Sequence, residues 1–170
     1  MDEALDRETG SIQRGSPVES RAERFRQYEG PGAGRIREVD PLPVPVAELL
    51  RGRNFAHLAT LMPDGSPHVA PVWVDLEDGL IRVNTVEGRV KTRNLRRDPR
   101  VALSVDDHED PYRMASIRGE VVEVTIEGAD EHIDALAGKY LGVDRYPNRR
   151  RGERRVIVKI RPDRVATMGA

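Results

Sequence analysis

The chain has 170 residues, of which 38% are hydrophobic and 34% charged, with a formal net charge of −1. This length and composition predict one compact domain, and the near-neutral balance excludes a general attraction to nucleic acid or to acidic membranes. Cysteine is absent, which excludes disulfides, thiol nucleophiles and cysteine-ligated metals. No apolar run approaches the roughly 18 residues of a membrane span, and no signal-peptide core is present, so we expect a cytoplasmic protein.

The first part of the chain differs in composition from the rest. In residues 1–42, charges of both signs alternate with Gly, Ser and Pro, and apolar residues are too sparse to form a face. This pattern predicts a mobile N-terminal arm. Residues 43–170 then form the predicted domain.

From residue 43 onward the pattern predicts a mainly β domain with inserted helices. Predicted strands cover about 54–62, 68–76, 80–84, 101–105, 113–126 and 155–160, and predicted helices cover about 43–51, 89–97 and 129–141. Gly119 is expected to mark a bend or bulge in the longest strand. Because short strands dominate, the order excludes a regular βαβ repeat and predicts an antiparallel barrel decorated by helices.

The turn into the second predicted helix carries the strongest chemical signal. Arg89 and Lys91 open a helix whose N-terminus already bears partial positive charge, an unfavourable placement that a bound anion would reverse. Lys91 is one of only three lysines among 28 basic residues, which indicates a need for a compact ammonium. Lys91 and Asn94 also share the helix side that faces the core. This turn therefore predicts a phosphate-binding cradle.

Three nearby residues have two interpretations each. Thr85 either caps the helix or shares its hydroxyl with the anion, and both roles are compatible. Pro71 lies within an apolar strand, where it cannot donate to a ladder, so it indicates a sheet edge, a bulge or a face given to a ligand. Trp73, the sole tryptophan, belongs either to the core or to the wall of a pocket for a planar ring.

Other chemical signals are weak. The four histidines lack metal-ligand spacing, no Gly-x-Ser-x-Gly elbow occurs, and no catalytic residue or metal site is assigned. The arginines at 149–151, 154 and 155 form a basic loop that is either a solvated turn or a contact for an anionic ligand tail. No aromatic pairs interleave these arginines, so we expect no nucleic-acid binding.

The order and spacing of several short elements resemble a known superfamily. These elements are Asn84-Thr85, Gly88-Arg89-Val90-Lys91, Asn94-Leu95, Asp98-Pro99-Arg100, Arg118-Gly119-Glu120-Val121 and the closing Val156-Ile157-Val158-Lys159-Ile160-Arg161-Pro162. Together they resemble the pyridoxamine 5'-phosphate oxidase-like split-barrel superfamily over about residues 45–168. More narrowly, the chain is similar to actinobacterial flavin/deazaflavin oxidoreductases that depend on coenzyme F420.

This resemblance implies a homodimer of split β-barrels with two cofactor sites at the subunit interface. By family analogy Arg89, Lys91 and Asn94 hold the cofactor phosphate, and Asn84 and Thr85 bridge phosphate and ring. By the same analogy, the isoalloxazine or deazaflavin ring is lined by Thr60, Pro71, Val72 and Trp73.

The implied function is hydride transfer from coenzyme F420 to an electron-poor conjugated small molecule such as a quinone, enone or tetrapyrrole. The chain ends Ile160-Arg161-Pro162-Asp163-Arg164 where true pyridoxamine-phosphate oxidases have Arg-Leu-x-Pro, so vitamin oxidation is not expected. Coenzyme F420 is favoured over FMN because Arg-rich surfaces suit its glutamate tail. FMN remains the alternative cofactor, and a non-catalytic cofactor- or haem-binding protein remains the alternative function.

Overall fold

The computed structural model describes residues 41–169 of the chain, so the predicted arm at 1–42 lies almost wholly outside the described residues. The helices are α1 (Val44–Arg51), α2 (Val90–Arg97) and α3 (Ala129–Leu141), and the strands are β1 (Ala56–Leu61), β2 (Pro67–Val72), β3 (Val74–Glu77), β4 (Leu80–Val86), β5 (Arg100–Asp106), β6 (Met114–Thr125) and β7 (Arg155–Met168). The three predicted helices are confirmed within a residue of their expected bounds. None of the described helices has the length and apolar character needed to cross a membrane.

All seven strands form one antiparallel sheet in the order β2-β1-β5-β6-β7-β4-β3. Its two edge strands, β2 and β3, are joined through the single residue Trp73. A seven-stranded sheet whose opposite edges lie one residue apart in the chain must curl on itself. The predicted mainly β, split-barrel architecture is therefore confirmed.

One predicted strand is wrong in an informative way. The apolar run 68–76 predicted a single strand, but the chain breaks it at Trp73 and sends its halves to opposite edges of the sheet. Pro71 lies in the edge strand β2, which satisfies the expectation that a residue without an N–H avoids a central ladder. Alternating burial cannot reveal such a break, because both halves keep one face toward the same core.

The core lies inside the curl of the sheet. Leu58, Leu103, Ile117 and Ile160 are fully or almost fully buried there, and α1 adds Val46, Leu49 and Leu50. The helix α1 has no acidic residue in its first turn and no side-chain cap, so its stability comes mainly from this apolar face.

The predicted irregularity at Gly119 is confirmed, and it explains a second error. A Cβ at Gly119 would stand 2.2 Å from the Arg161 carbonyl oxygen, and the β6–β7 register shifts next to it. Pro162 pairs with Gly119 at this shift, where the ladder is already irregular. Strand β7 therefore continues through the proline to Met168, although the sequence predicted an end at Ile160.

The helix α3 covers the outer side of β4 and β7. Glycines in the left-handed region end it on both sides, Gly128 with φ 67° and Gly142 with φ 71°. Its buried stripe of Ile133, Leu136 and Tyr140 packs against Trp73. The helix thereby encloses the space next to the Trp73 break.

Candidate functional site

A cavity of about 200 Å³ opens between the Trp73 break, the end of β4, the start of α2 and the start of β7. Seven of the nine site residues predicted from the sequence line it: Pro71, Val72, Trp73, Asn84, Thr85, Arg89 and Lys91. Four residues that were not predicted as site residues line it as well: Phe55, Ile133, Tyr146 and Arg155. The cavity thus joins an apolar wall to a cationic one.

Trp73 forms the centre of the apolar wall. Its ring stacks on Tyr140 with centroids 5.0 Å apart and planes 2° apart, and it meets Tyr146 edge-on at 5.7 Å. Tyr140 is itself fixed, because its hydroxyl donates to the Asn54 carbonyl (2.7 Å) and accepts from the Val74 N–H (3.1 Å). Burial raises the pKa of Tyr140 to about 12, so it stays a neutral donor. Both interpretations of Trp73 therefore hold, because its ring packs against other side chains and also forms part of the cavity wall.

The cationic wall begins at the start of α2. Arg89 is the N-cap residue, with extended backbone and no side-chain cap, and the first turn contains no acidic residue. Lys91 is half-buried, and burial lowers its pKa, with the nearby Arg89 lowering it further. Among the described residues, Lys91 has neither an ion pair nor a hydrogen bond. This cation is therefore desolvated without an internal counter-ion.

Thr85 adds an unsatisfied polar group to the same wall. The residue is 3% exposed, and its hydroxyl oxygen is buried without any hydrogen-bond partner within residues 41–169. The predicted capping role of Thr85 is wrong, because α2 begins at Val90 and Thr85 lies within β4. A buried hydroxyl without a partner is costly, and its position on the cavity wall indicates a ligand atom as the missing partner.

Arg155, at the start of β7, supplies a third cation to the cavity. It is 8% exposed, stacks over the Tyr146 ring at 4.4 Å and donates to the Asn84 side-chain oxygen at 3.0 Å. The sequence placed Arg155 in a basic loop without separating it from its neighbours. Arg155 differs from the arginines before it because it begins the continuously buried start of β7. In the sequence, the neighbouring arginines conceal this difference.

A polar network behind the cavity fixes Asn84. Its amide nitrogen donates to the Ala129 carbonyl (2.7 Å) and lies 3.4 Å from a ring nitrogen of His132, whose other nitrogen lies 3.3 Å from Asp75. Arg82 holds the same Asp75 with two hydrogen bonds of 2.9 and 2.7 Å. Burial by itself would raise the pKa of Asp75, but the hydrogen bonds from His132 and Arg82 outweigh it and lower that pKa to about 2. Asn84 is therefore a fixed support for Arg155.

Two predicted site residues lie elsewhere. Asn94 is 2% exposed, and its amide donates to the Thr60 hydroxyl at 3.0 Å and to the Met62 sulfur at 3.4 Å. This contact packs α2 onto β1, and neither Thr60 nor Asn94 lines the cavity. Their direct contact with a cofactor stays a prediction.

A second, wider cavity of about 740 Å³ lies beside the first and shares Phe55 with it. Its lining includes four acidic residues, Glu48, Asp106, Asp107 and Glu109, and two arginines, Arg53 and Arg113, so acidic groups outnumber arginines here, unlike in the first cavity's cationic wall. In residues 41–169, no group of three or more His, Asp or Glu side chains is arranged to hold a metal ion.

Comparison with known proteins identifies the family. Residues 44–169 match the family described as pyridoxamine 5'-phosphate oxidase. The chain belongs to this family. Among solved structures, an F420 reductase shares 30% sequence identity with a TM-score of 0.62, over 70% of this chain and 94% of that chain.

Other solved structures are also similar to this chain. A conserved hypothetical protein from Mycobacterium tuberculosis shares 25% identity with a TM-score of 0.56, over 79% of this chain and 88% of that chain. General Stress Protein 26 from Bacillus anthracis shares 20% identity with a TM-score of 0.54, over 73% of this chain and 91% of that chain, and supports the fold alone. The chain is thus a member of the pyridoxamine 5'-phosphate oxidase family.

The residues around the smaller cavity fit a phosphate group. The start of α2 presents backbone N–H groups and a positive dipole end, Lys91 needs a counter-ion, and Thr85 needs a hydrogen-bond partner. A phosphate group can satisfy all three requirements at once.

Proposed function

We propose that this chain is an oxidoreductase that uses coenzyme F420 to transfer hydride to an electron-poor conjugated small molecule such as a quinone, enone or tetrapyrrole. One observation carries the proposal: Lys91 and Thr85, which have no polar partner among the described residues, line the same cavity as Trp73. A cavity that combines a desolvated cation with a flat aromatic wall suits a phosphate on one side and a planar ring on the other. The F420 reductase at 30% identity supports the deazaflavin over FMN.

In this proposal the cationic wall binds the phosphate. Lys91 and Arg89 supply charge, the first N–H groups of α2 supply donors, and the Thr85 hydroxyl supplies one further bond. Pro71, Val72 and Trp73 contact the ring. Thr60 and Asn94 contribute indirectly, because their hydrogen bond holds α2 against β1.

A reduced deazaflavin, when bound, supplies the hydride, so the chain itself needs neither a nucleophile nor a pair of acidic residues. Its own residues orient and desolvate the reactants. Trp73 cannot tilt freely, because Tyr140 stacks on one face and Tyr146 meets its edge. A fixed apolar wall keeps water from the ring and limits the approach of the acceptor to one direction.

The size of the cavity supports a homodimer. Drug-sized ligands occupy pockets of about 300–1,000 Å³, whereas this cavity measures about 200 Å³. At its margin Phe55 is 52% exposed, and Val69 on the edge strand β2 is 58% exposed. We propose that a second copy of the chain covers these side chains and completes the site.

Two assays test the proposal. Because Trp73 is the sole tryptophan and lines the cavity, its fluorescence should be quenched by coenzyme F420 at lower concentration than by FMN. Preferential quenching by FMN would make FMN the cofactor.

The second assay measures turnover. Reduced F420 is incubated with the protein and a panel of quinones, enones and tetrapyrroles, and acceptor-dependent cofactor oxidation is expected. Binding without turnover across the panel would indicate a carrier protein.

A further inference from the structure

Glu153 occupies an unusual position between two cations of the cavity wall. One carboxylate oxygen lies 4.0 Å from the Arg89 guanidinium and the other 3.8 Å from that of Arg155. Both distances exceed a hydrogen bond, and the oxygen facing Arg155 is buried without a hydrogen-bond partner in the part of the chain that the structure describes. The carboxylate therefore acts on the site through its charge more than through specific bonds.

The chain on both sides of Glu153 is held in place. Gly152 turns the backbone with φ 84°, the Glu153 N–H donates to the Arg150 carbonyl (3.2 Å), and the Arg154 carbonyl accepts from the Glu87 N–H (2.9 Å). Glu153 is also only 18% exposed in its side chain. Its negative charge thus stays close to any anion that Arg89 and Arg155 attract.

Such a fixed charge affects ligands according to their own charge. The repulsion between Glu153 and a bound phosphate grows in proportion to the charge on that phosphate. A phosphomonoester such as FMN carries close to two negative charges above pH 7, whereas a phosphodiester carries one. The phosphate of coenzyme F420 joins a ribityl chain to a lactyl-glutamate tail and is a diester.

We propose that Glu153 is a specificity-determining residue that disfavours doubly charged phosphomonoesters relative to singly charged phosphodiesters. The proposal rests on the proposed function, because it concerns the phosphate position of the same site. It assigns the preference for a deazaflavin cofactor to a residue on the loop before β7. The three cations Arg89, Lys91 and Arg155 attract both kinds of phosphate. Glu153 repels the second negative charge of a monoester and so reduces the affinity that this charge would otherwise add.

The test uses FMN and its phosphate monomethyl ester, which differ at the phosphate by one unit of charge and one methyl group. Comparing their affinity ratio between variants cancels the effect of the methyl group itself. Trp73 fluorescence gives the dissociation constant of each at pH 8, for the wild-type chain and for Glu153→Gln. We expect the substitution to raise the ratio of monoester to diester affinity by about 3- to 10-fold, the effect of one unit charge roughly 6 Å away at an effective dielectric constant of about 40–80. Lowering the pH through about 6, where the monoester gains a proton, should abolish the difference.

Two further variants serve as controls. Glu153→Asp keeps the charge, so its ratio should stay within about 2-fold of the wild type. Glu123→Gln changes the net charge equally but breaks an ion pair with Lys159 (2.9 Å), and neither residue lines the cavity. Its ratio should not change. Thermal unfolding of each variant checks that the fold is retained.

The outcomes separate this inference from the proposed function. An unchanged or lowered ratio in Glu153→Gln would overturn the selectivity role, since it would show that Glu153 only aligns the arginines. If Lys91→Ala also leaves both affinities unchanged, the phosphate position itself is wrong and the proposed function loses its basis. If Lys91→Ala weakens the binding of both ligands while Glu153→Gln leaves the affinity ratio unchanged, only the selectivity inference fails.

Discussion

The start of α2 and the loop before β7 are both rich in cations, yet their side chains meet different partners. Arg149 in the loop donates to Asp130 at 2.6 Å and to Asp134 at 2.8 Å, so its charge is balanced within the chain. Lys91 in α2 is half-buried and has no balancing partner among the described residues. The comparison shows that the number of basic residues does not mark an anion site. A buried cation without a counter-ion does.

The same contrast separates stability from function. Ion pairs such as that of Arg149 contribute modestly to folding, because solvent screens them. A desolvated cation such as Lys91, which has no partner among the described residues, lowers the free energy of unfolding. A bound anion offsets this cost. Substitutions in the two regions should therefore affect different measurements.

Lys91→Ala should have the largest effect on binding. We expect loss of about 1.5–3 kcal/mol of cofactor affinity, the range for a charge-assisted hydrogen bond, with no loss, and a small gain, in the thermal stability of the ligand-free chain. Titration by Trp73 fluorescence measures the affinity. Lys159→Ala is the matched control, because Lys159 pairs with Glu123 and does not line the cavity. Equal weakening by both variants would contradict a specific role for Lys91.

Asp75 belongs to the hydrogen-bond network that supports Arg155, and its titration tests how much this network contributes to stability. Its pKa of about 2 in the folded chain is below the ordinary 3.8, so its stabilising contribution is full above about pH 4 and is lost as the pH falls toward 2. After discounting for partial exposure, we expect about 1–2 kcal/mol from this group. Urea unfolding at pH 5 and pH 2.5 should show a shallower loss of stability in Asp75→Asn.

The control for that experiment is Glu109→Gln, which removes a carboxylate from an exposed loop. Its stability should follow the wild-type pH profile. An Asp75→Asn profile as steep as the wild type would show that the acid sensitivity arises elsewhere.

Tyr140→Phe tests the support of the apolar wall. The hydroxyl bonds to the Asn54 carbonyl and to the Val74 backbone, and its removal leaves these buried groups unpaired. We expect about 1 kcal/mol of destabilisation in urea unfolding, together with a changed Trp73 emission, because Trp73 stacks on this ring. Unaltered emission and stability would show that Trp73 is held by other contacts.

Arg149→Ala should have the smallest effect. Its ion pairs are largely exposed, so we expect about 0.5 kcal/mol or less of lost stability and no change in cofactor affinity. Clear weakening of cofactor binding by this variant would remove the distinction between the two cationic regions.

Much of the fold followed from local patterns, whereas the site depended on contacts between distant residues. The three helices and the bulge at Gly119 are short-range features, and their prediction is confirmed. The break at Trp73 and the extension of β7 past Pro162 were missed, because both depend on which strands become neighbours. A pattern of alternating residues does not contain that information.

The site residues show the same limit. Lys91 and Arg89 were found because a cation at a helix start is locally unfavourable. Arg155 was missed because its burial depends on Asn84 and Tyr146, from other parts of the chain. Likewise, the hydrogen bond of Asn94 to Thr60, 34 residues earlier, could not be read from either position alone.

The central claim is that Lys91 exists to bind the phosphate of a redox cofactor. The most direct measurement compares the effect of Lys91→Ala on binding of coenzyme F420 with its effect on the same deazaflavin and ribityl chain without phosphate. We predict that the substitution weakens F420 by about 10- to 150-fold and leaves the dephosphorylated ligand unaffected. Equal effects on both ligands, or none on either, would contradict the account.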